Sequence, residues 1–427
     1  MKINRVIEII VLVSIYILTN LRSFILWKLF PDTYQFSGLA WREVMIWVLL
    51  ILLVLYILHK KGQLVNYVLT WGKRPIVIIF VLYALISIFW SVNWTGTLFR
   101  GLVLLFTTGV TVYLYQRYSL GELMQSLFWL GVFFSFISFY LAIVYPVIGT
   151  DINPPYNGAW RGIFWHKNHL GNIMPLFNLI FLLQIFKQSS PSFLPVKIKR
   201  IIAIIFYLIS LMLIYQARSA SGYILVILLH FAFFVFAVWI KIHSRLRAVH
   251  YFVASALLVI GVLLVALNLD FVFGIFNREV TLTGRIPLWQ YLLNQVFSER
   301  PVLGYGFGAV WTVESFRLST QKIVGWGYPV MIGDNGFIDI LLNDGIVGLL
   351  IFLIFYAQVG IASIRYLIAN RKIEGLFPVI FVLYTIFVNI SFSMFLELES
   401  FIWLLCVYLL FLNFPKPQLA TVQKQFA

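Results

Sequence analysis

The sequence predicts an all-α, polytopic integral membrane protein with about twelve transmembrane helices. Of the 427 residues, 62% are hydrophobic and only 11% are charged, and the mean hydropathy is +0.96. Apolar runs of roughly 20 residues, the length at which a helix crosses the hydrocarbon layer, recur along almost the whole chain. A soluble globule has too little interior to bury this much apolar surface.

Twelve windows of mostly apolar residues define the predicted spans. We expect residues 1–427 to form a single membrane domain, and we predict a large extracytoplasmic loop at 269–335, between the ninth and tenth spans, with short amphipathic helices. The predicted spans cover approximately residues 6–29, 39–58, 75–91, 97–116, 122–148, 169–186, 200–216, 220–240, 250–268, 336–364, 376–395 and 400–414.

The formal net charge of +16 is a topology signal. Lys and Arg are concentrated in alternate segments between the spans. By the positive-inside rule these segments are cytoplasmic, together with both termini. The opposite, outer face then receives the loop at 149–168, the short turn around Arg218 and the loop at 269–335. The chemically unusual residues therefore all fall on one predicted face, and the charge does not indicate a nucleic-acid partner.

The loop at 149–168 concentrates cationic and aromatic side chains on the outer face. Outer loops are otherwise poor in cations here, so this concentration indicates an anionic ligand. The alternative is an interfacial belt, in which Trp side chains lie at headgroup depth and the cations contact lipid phosphates. The stretch "RGIFWHKNHLG" contains the candidate residues Arg161, Trp165, His166, Lys167 and Asn168.

A second candidate, Arg218, lies in a very short predicted turn within "QARSASGY". A guanidinium at or just inside the membrane interface needs an anionic or multidentate partner. The small residues at 219–222 leave room beside it for such a partner. The alternative is an arginine whose side chain only reaches out to interfacial water.

The long outer loop contains a third feature, "TGRIPLW". The residues that follow predict an amphipathic helix resting on the membrane or on the bundle, with Arg285 in its first turn. The glycines of "LGYGFG" follow no βα unit and do not indicate a nucleotide site. The apolar positions at helical spacing are Ile286, Trp289, Leu292, Leu293, Val296 and Phe297.

Asp334 and Asn335 precede a long predicted helix in "GDNGFIDILLNDGIVGLL". Asp is a good N-cap residue, so one interpretation of Asp334 is purely structural. Asp334 is also among the few acids on the outer face. An acid beside several arginines forms either a structural ion pair or a general base next to an anionic substrate.

Five motifs, in family order, resemble those of the O-antigen ligase and polymerase (Wzy/WaaL-like) superfamily of membrane glycosyltransferases. The sequence is most similar to the exopolysaccharide-polymerase (ExoQ-like) branch, and the resemblance is best from about residue 100 to about residue 400. The motifs are "GAWRGIFWHKNHLG", "ARSASG", "TGRIPLW", "LGYGFG" and "DNGFIDILLNDGIVGLL".

The resemblance implies transfer of a glycan from a polyprenyl diphosphate lipid to a sugar hydroxyl. Arg218 and Arg285 would bind the diphosphate. Asp334 stands where ligases of the family carry a histidine, so Asp334 is the first candidate for the base and His166 the second. Fixed arginines stabilise a departing diphosphate without a metal, and no cofactor is expected. The candidate substrate-binding residues are Arg161, Lys167, Asn168, Trp165, Trp289 and Asn335.

The implied partners are the polyprenyl-diphosphate-linked donor, a glycan or lipid-linked glycan acceptor, membrane lipid, and chain-length regulator and export proteins. The implied location is the bacterial cytoplasmic (inner) membrane with an extracytoplasmic active site. Three alternatives stay open. One is an O-antigen ligase that transfers glycan to a lipid acceptor. The second is a transporter or flippase for a lipid-linked sugar or an anion, although transporters usually place polar residues near the bilayer midplane. The third is a non-catalytic assembly partner in a polysaccharide export complex.

Overall fold

Lipid offers the backbone no hydrogen-bond partner, so a chain of this composition is expected to fold into helices. The computed structural model describes residues 36–151, 156–187, 195–242, 285–325, 330–395 and 401–412. Regular structure in these ranges is helical, apart from one isolated β-bridge between Thr150 and Trp160. The predicted all-α polytopic fold class is confirmed.

The helices of the described ranges are numbered here in chain order, leaving aside a single turn at Pro146–Gly149 and three short 3-10 turns. They are α1 Phe36–Lys60, α2 Leu64–Gly72, α3 Pro75–Ile86, α4 Trp94–Arg117, α5 Leu120–Val144, α6 Lys167–Phe186, α7 Val196–Gln216, α8 Ala220–Ile242, α9 Arg285–Glu299, α10 Glu314–Val324, α11 Gly336–Ala369, α12 Leu376–Ser391 and α13 Phe401–Leu410.

Seven of the described helices are long and apolar enough to cross a membrane: α4, α5, α6, α7, α8, α11, and α12 with the turn before it. Residues 44–60 of α1 and the helix α2 form a pair bent by 117°, which would make an eighth span. The predicted count of twelve is therefore not confirmed. Two predicted spans, 6–29 and 250–268, lie outside the described residues, and each of the others coincides with a helix.

Helix α6 is the centre of one half of the bundle. It packs against α5, α7, α8 and α12, and nearly all of its residues are buried. Two hydrogen bonds join it to these neighbours: Asn178 Nδ2 donates to Ser210 Oγ at 2.8 Å, and Tyr384 Oη donates to the Asn172 carbonyl at 2.9 Å. By contrast, α7 and α8 expose apolar side chains such as Ile201 and Ile227, as expected of lipid-facing helices.

Helix α11 is interrupted at Gly345, where the backbone adopts φ 65° and ψ −171°. The segment at 301–306 hydrogen-bonds to the interruption from both sides. The N–H of Ile346 donates to the Pro301 carbonyl at 2.9 Å, and the N–H of Gly306 donates to the Asn343 carbonyl at 2.8 Å. Non-helical backbone is tolerated at membrane depth only where protein satisfies its polar groups. These hydrogen bonds at the interruption thus anchor the segment at 301–306 to α11.

We expect Gly345→Ala to destabilise the fold, because this φ and ψ combination is essentially restricted to glycine and costs other residues about 1–3 kcal/mol. A Cβ atom at this position would also lie 2.3 Å from the Val302 carbonyl oxygen. Thermal unfolding of the detergent-purified protein measures the loss. The matched control is Gly360→Ala in the same helix, where a Cβ meets nothing within 4 Å. Equal melting temperatures of the two variants would contradict this account.

Candidate active site

The predicted outer residues meet at one end of the bundle, where α6, α8, α9 and α11 begin. We call this the site end. His166 lies at its centre, because its ring interacts electrostatically with Asp151, Lys167, Asp334 and Arg285. Residues from the 149–168 loop, the start of α9 and the start of α11 are thereby brought together, although they are far apart in sequence.

Asp151 organises the loop before α6. Its Oδ2 accepts the backbone N–H of Lys167 at 3.1 Å, and its Oδ1 lies 3.6 Å from a guanidinium nitrogen of Arg161. Arg161 Nε also donates to the Ile148 carbonyl at 3.0 Å. The Arg161 side chain therefore braces the loop, and its predicted contact with substrate stays a prediction. Sequence reasoning overlooked Asp151, although it is the one acid in a loop rich in cations.

Lys167 joins the loop to the start of α8. The residue is 3% exposed, and its Nζ donates to the Arg218 carbonyl at 3.0 Å and to Asn168 Oδ1 at 3.2 Å. The ammonium also lies 4.7 Å from the centre of the Tyr156 ring. A buried ammonium needs such partners. Lys167 and Asn168 thus have structural contacts within the site end.

Arg218 is held next to α6 by a close helix contact. A Cβ atom added to Gly222 would lie 2.5 Å from the Gly171 carbonyl oxygen, and one added to Gly171 would lie 2.4 Å from Ser219 Cβ. Small residues allow two helices to approach this closely. The Arg218 backbone is left-handed, with φ 50°. Its side chain is exposed, with one guanidinium nitrogen 3.4 Å from the Asn157 carbonyl oxygen.

Arg285 and Asp334 form an ion pair. Arg285 Nε donates to Asp334 Oδ2 at 3.0 Å, and each side chain is 16% exposed. Asp334 does not cap α11. The N-cap is Asn335, whose Oδ1 accepts the N–H groups of Phe337 and Ile338. Asn335 Nδ2 donates to the Ile390 carbonyl at 3.3 Å, so its predicted contact with substrate stays a prediction.

Arg218 and Asp334 are, among the residues that the structure describes, the only non-glycine positions with positive φ. Such backbone costs energy and persists only where the surroundings over-determine it. Both positions were proposed as catalytic from the sequence. Backbone strain concentrates at functional sites, so this coincidence supports a functional role for this end of the bundle.

Asp339 fixes the position of Asp334, a role that sequence reasoning missed. Its carboxylate accepts the N–H of Gly333 at 3.0 Å, the indole N–H of Trp311 at 2.8 Å and the hydroxyl of Ser393. Trp289 Nε1 donates to the Gly333 carbonyl at 2.9 Å. Gly333 is thus held on both sides. The sequence signal was an acid in the first turn of a membrane helix, where an unpaired charge is costly.

His166 caps α6, since its Nδ1 accepts the backbone N–H of Asn168 at 3.2 Å. Burial lowers the pKa of His166 below its ordinary value, although the Asp151 carboxylate acts in the opposite direction. A neutral ring whose Nδ1 accepts a hydrogen bond carries its proton on Nε2. His166 therefore offers a hydrogen-bond donor at the site end.

The aromatic candidates differ in their surroundings. Trp165 is 51% exposed, whereas Trp289 is half-buried against Gly333. Helix α9 begins at Arg285 as predicted, and Leu292 and Val296 are buried on its inner face, while Phe297 is exposed.

In the described part of the chain, no three His, Cys, Asp or Glu side chains are grouped as metal ligands would be.

One comparison with known proteins finds a family model that matches part of the chain. The O-antigen ligase family model (Wzy_C) matches residues 204–353, a range that contains Arg218, Arg285 and Asp334 but not the His166 loop. No curated protein matches the chain. The family match supports a glycosyltransferase-like role in glycan biosynthesis and lipid-linked glycan substrates. It covers 150 of the 427 residues, and together with the membrane-helix architecture it supports the predicted similarity to the O-antigen ligase and polymerase superfamily of membrane proteins.

Proposed function

We propose that this protein polymerises polyprenyl-diphosphate-linked glycan repeat units on the outer face of the bacterial cytoplasmic membrane. The observation that carries the proposal is the Arg285–Asp334 ion pair beside His166, at the end of the bundle where Arg218 and Lys167 also lie. This arrangement supports a site in which cations bind the diphosphate and a neighbouring acid takes the proton of the acceptor hydroxyl. We propose that chain-length regulator and export proteins act on the product.

Arg285 and Arg218 bind the diphosphate of the donor in this proposal. Only Asp334, among the described residues, bonds to the Arg285 guanidinium, and it uses Nε alone. The two terminal nitrogens are then available for the paired contacts that arginine makes with phosphate oxygens. Negative charge builds up on the diphosphate as the bond to the sugar breaks. Fixed cations near a low-dielectric boundary stabilise that charge without a metal.

Asp334 takes the proton of the acceptor hydroxyl. Its Oδ2 bonds to Arg285, and Oδ1 has no hydrogen-bond partner among the described residues. The hydroxyl oxygen forms a bond to the anomeric carbon, the bond from that carbon to the diphosphate oxygen breaks, and the lipid diphosphate leaves as an anion. We assign the base role to Asp334 because His166 presents Nε2–H, which donates to the substrate instead.

The sugar rings are recognised next to these charged groups. Trp165 and Trp289 supply aromatic faces, and Arg161, Lys167, Asn168 and Asn335 hold the loops that surround the donor. The cations lie at one end of the bundle, which favours an enzyme over a transporter with a site at mid-depth. Ligase and polymerase would use the same groups and differ only in the acceptor.

The experiment that tests the function uses the purified protein in nanodiscs with diphosphate-linked lipid repeat units, with chelator and without ATP. We expect longer glycans and released lipid diphosphate from the wild type. Arg285→Ala should lower the rate by about two to three powers of ten, as loss of a fixed charge-stabilising donor does. The matched control is Lys322→Ala, an exposed cation of α10, which should keep full activity.

Three outcomes would contradict parts of the proposal. Transfer of one glycan to a lipid acceptor, without elongation, would identify a ligase. Movement of intact donor across the bilayer, with no new glycosidic bond, would identify a transporter. Restoration of activity by a divalent metal after chelation would contradict the metal-free mechanism.

Asp334→Asn should reduce kcat by about a hundredfold or more, since positioned general bases contribute about 10² to 10⁴ in rate. The Asn carbonyl oxygen can still accept from Arg285 Nε, so KM for the donor should change little. Steady-state kinetics with a defined acceptor separate the two parameters. A variant with normal kcat and raised KM would show that Asp334 only orients Arg285.

His166→Asn separates the cap of α6 from the Nε2 donor. Asn is a good N-cap residue, so the melting temperature should be preserved, while the rate should fall about tenfold to a hundredfold with the lost hydrogen bond. His166→Ala, which also loses the cap, should in addition be less stable. Unchanged activity in His166→Asn would exclude the donor role.

The wild-type pH profile gives a second test of His166. Because burial lowers its pKa, the ring stays neutral down to about pH 6.5, the ordinary value for histidine, and protonates only below it. Protonation turns Nδ1 from an acceptor into a donor and breaks the cap of α6, whereas Nε2 keeps its proton. The melting temperature should therefore fall only in that more acidic range, and the contribution of the Nε2 donor to the rate should not be lost directly.

A further inference from the structure

Helix α10 carries a cation, Arg317, on its inner face. Phe316 and Val324 of that face pack against the apolar cluster formed by α9, α11 and the residues between them, and Thr320 is completely buried. Arg317 lies between them at helical spacing and is only partly exposed, whereas Lys322 on the outer face is exposed. Basic residues of an amphipathic helix normally lie on its polar face. The inner position of Arg317 therefore needs an explanation.

The guanidinium of Arg317 lacks an anionic partner. Nη1 donates to Met331 Sδ at 3.2 Å, and a thioether sulfur is a weak acceptor. Nε is buried and has no hydrogen-bond partner among the described residues. Within those same residues, Arg317 forms no ion pair with a carboxylate. A partly buried cation is costly without an anion beside it, so these contacts favour a ligand that supplies one.

Two contacts place this guanidinium beside the segment that leads to Asp334. The first is the hydrogen bond to Met331. Asp334 is three residues further along the chain, so the two Cα atoms are at most about 11 Å apart. The second is made by the preceding residue, Phe316, whose ring centre lies 5.5 Å from that of Trp311. The Trp311 indole donates to Asp339, which fixes the chain next to Asp334.

Arg317 is separate from the charged groups at the centre of the site end. Among the described residues, the charged groups that act on the His166 ring are Asp151, Lys167, Asp334 and Arg285. Arg317 is not one of these groups, and it lies on the Met331 side of Asp334. In the proposed reaction Asp334 contacts the acceptor hydroxyl. An anion beside Arg317 then belongs to the sugar rings next to that hydroxyl and not to the diphosphate.

We propose that Arg317 binds a carboxylate of the glycan, so that the substrate is an acidic oligosaccharide that contains a uronic acid. The carboxylate accepts from Nη2, the terminal nitrogen that the described residues leave without a partner. A small rotation of the side chain away from the weak sulfur acceptor adds Nε to the paired contact that arginine makes with carboxylates. This inference rests on the proposed function, because that function makes a glycan the ligand.

The test measures binding and needs no turnover. The full-length protein in nanodiscs is titrated calorimetrically with oligoglucuronate and with its neutral counterpart, an oligoglucose of the same length and linkage. We expect the wild type to bind the acidic glycan about tenfold more tightly, as one charge-assisted hydrogen bond would provide. Arg317→Gln should lose this preference. The matched control is Lys322→Gln, an exposed cation of the same helix, which should keep it.

Arg317→Lys provides a second variant in case Arg317→Gln does not fold. It keeps the charge but not the paired donors, so it should retain only part of the preference. Equal affinities of the wild type for the two glycans would overturn the proposal. An Arg317→Gln variant that keeps the preference, or that binds both glycans equally weakly, would also overturn it.

Methylene diphosphonate distinguishes the two sources of an anion. Its affinity should be the same in the wild type and in Arg317→Gln, and a weaker affinity in the variant would assign Arg317 to the diphosphate instead. The proposed polymerase can fail independently of this site. A protein that prefers the acidic glycan through Arg317 but makes no polymer would contradict the proposed function and leave the carboxylate site supported.

Discussion

The arrangement of the site end depends on the contacts of the buried Lys167 ammonium. A cation in the first turn of a helix is unfavourable with respect to the helix dipole. Here the Arg218 carbonyl, the Asn168 side chain and the Tyr156 ring surround it. The Arg218 residue whose carbonyl accepts this hydrogen bond has a left-handed backbone. One ammonium thus couples the start of α6 to the start of α8.

Contacts with neighbouring residues also fix the position of Asp334. Its strained backbone lies between Gly333, which Asp339 and Trp289 hold by hydrogen bonds, and Asn335, which caps α11. Strain persists only where neighbouring contacts fix the chain on both sides. A group held this firmly does not need to reorganise when charge develops next to it, which is how preorganised sites stabilise a transition state. The supporting residues are therefore as much a part of the site as the ion pair.

Composition and hydropathy determined the membrane class and most helix positions, because a span needs about 20 apolar residues whatever its neighbours are. Motif order indicated Arg218, Arg285 and Asp334. Only the tertiary structure decided that Asn335 and not Asp334 caps α11, that Arg161 braces its own loop, and that Asp151 and Asp339 support the site. These roles depend on partners up to 54 residues away in sequence, such as Ser393 for Asp339. The local pattern of apolar residues determines where a helix forms. The hydrogen-bond partner of a polar side chain depends instead on how the helices pack.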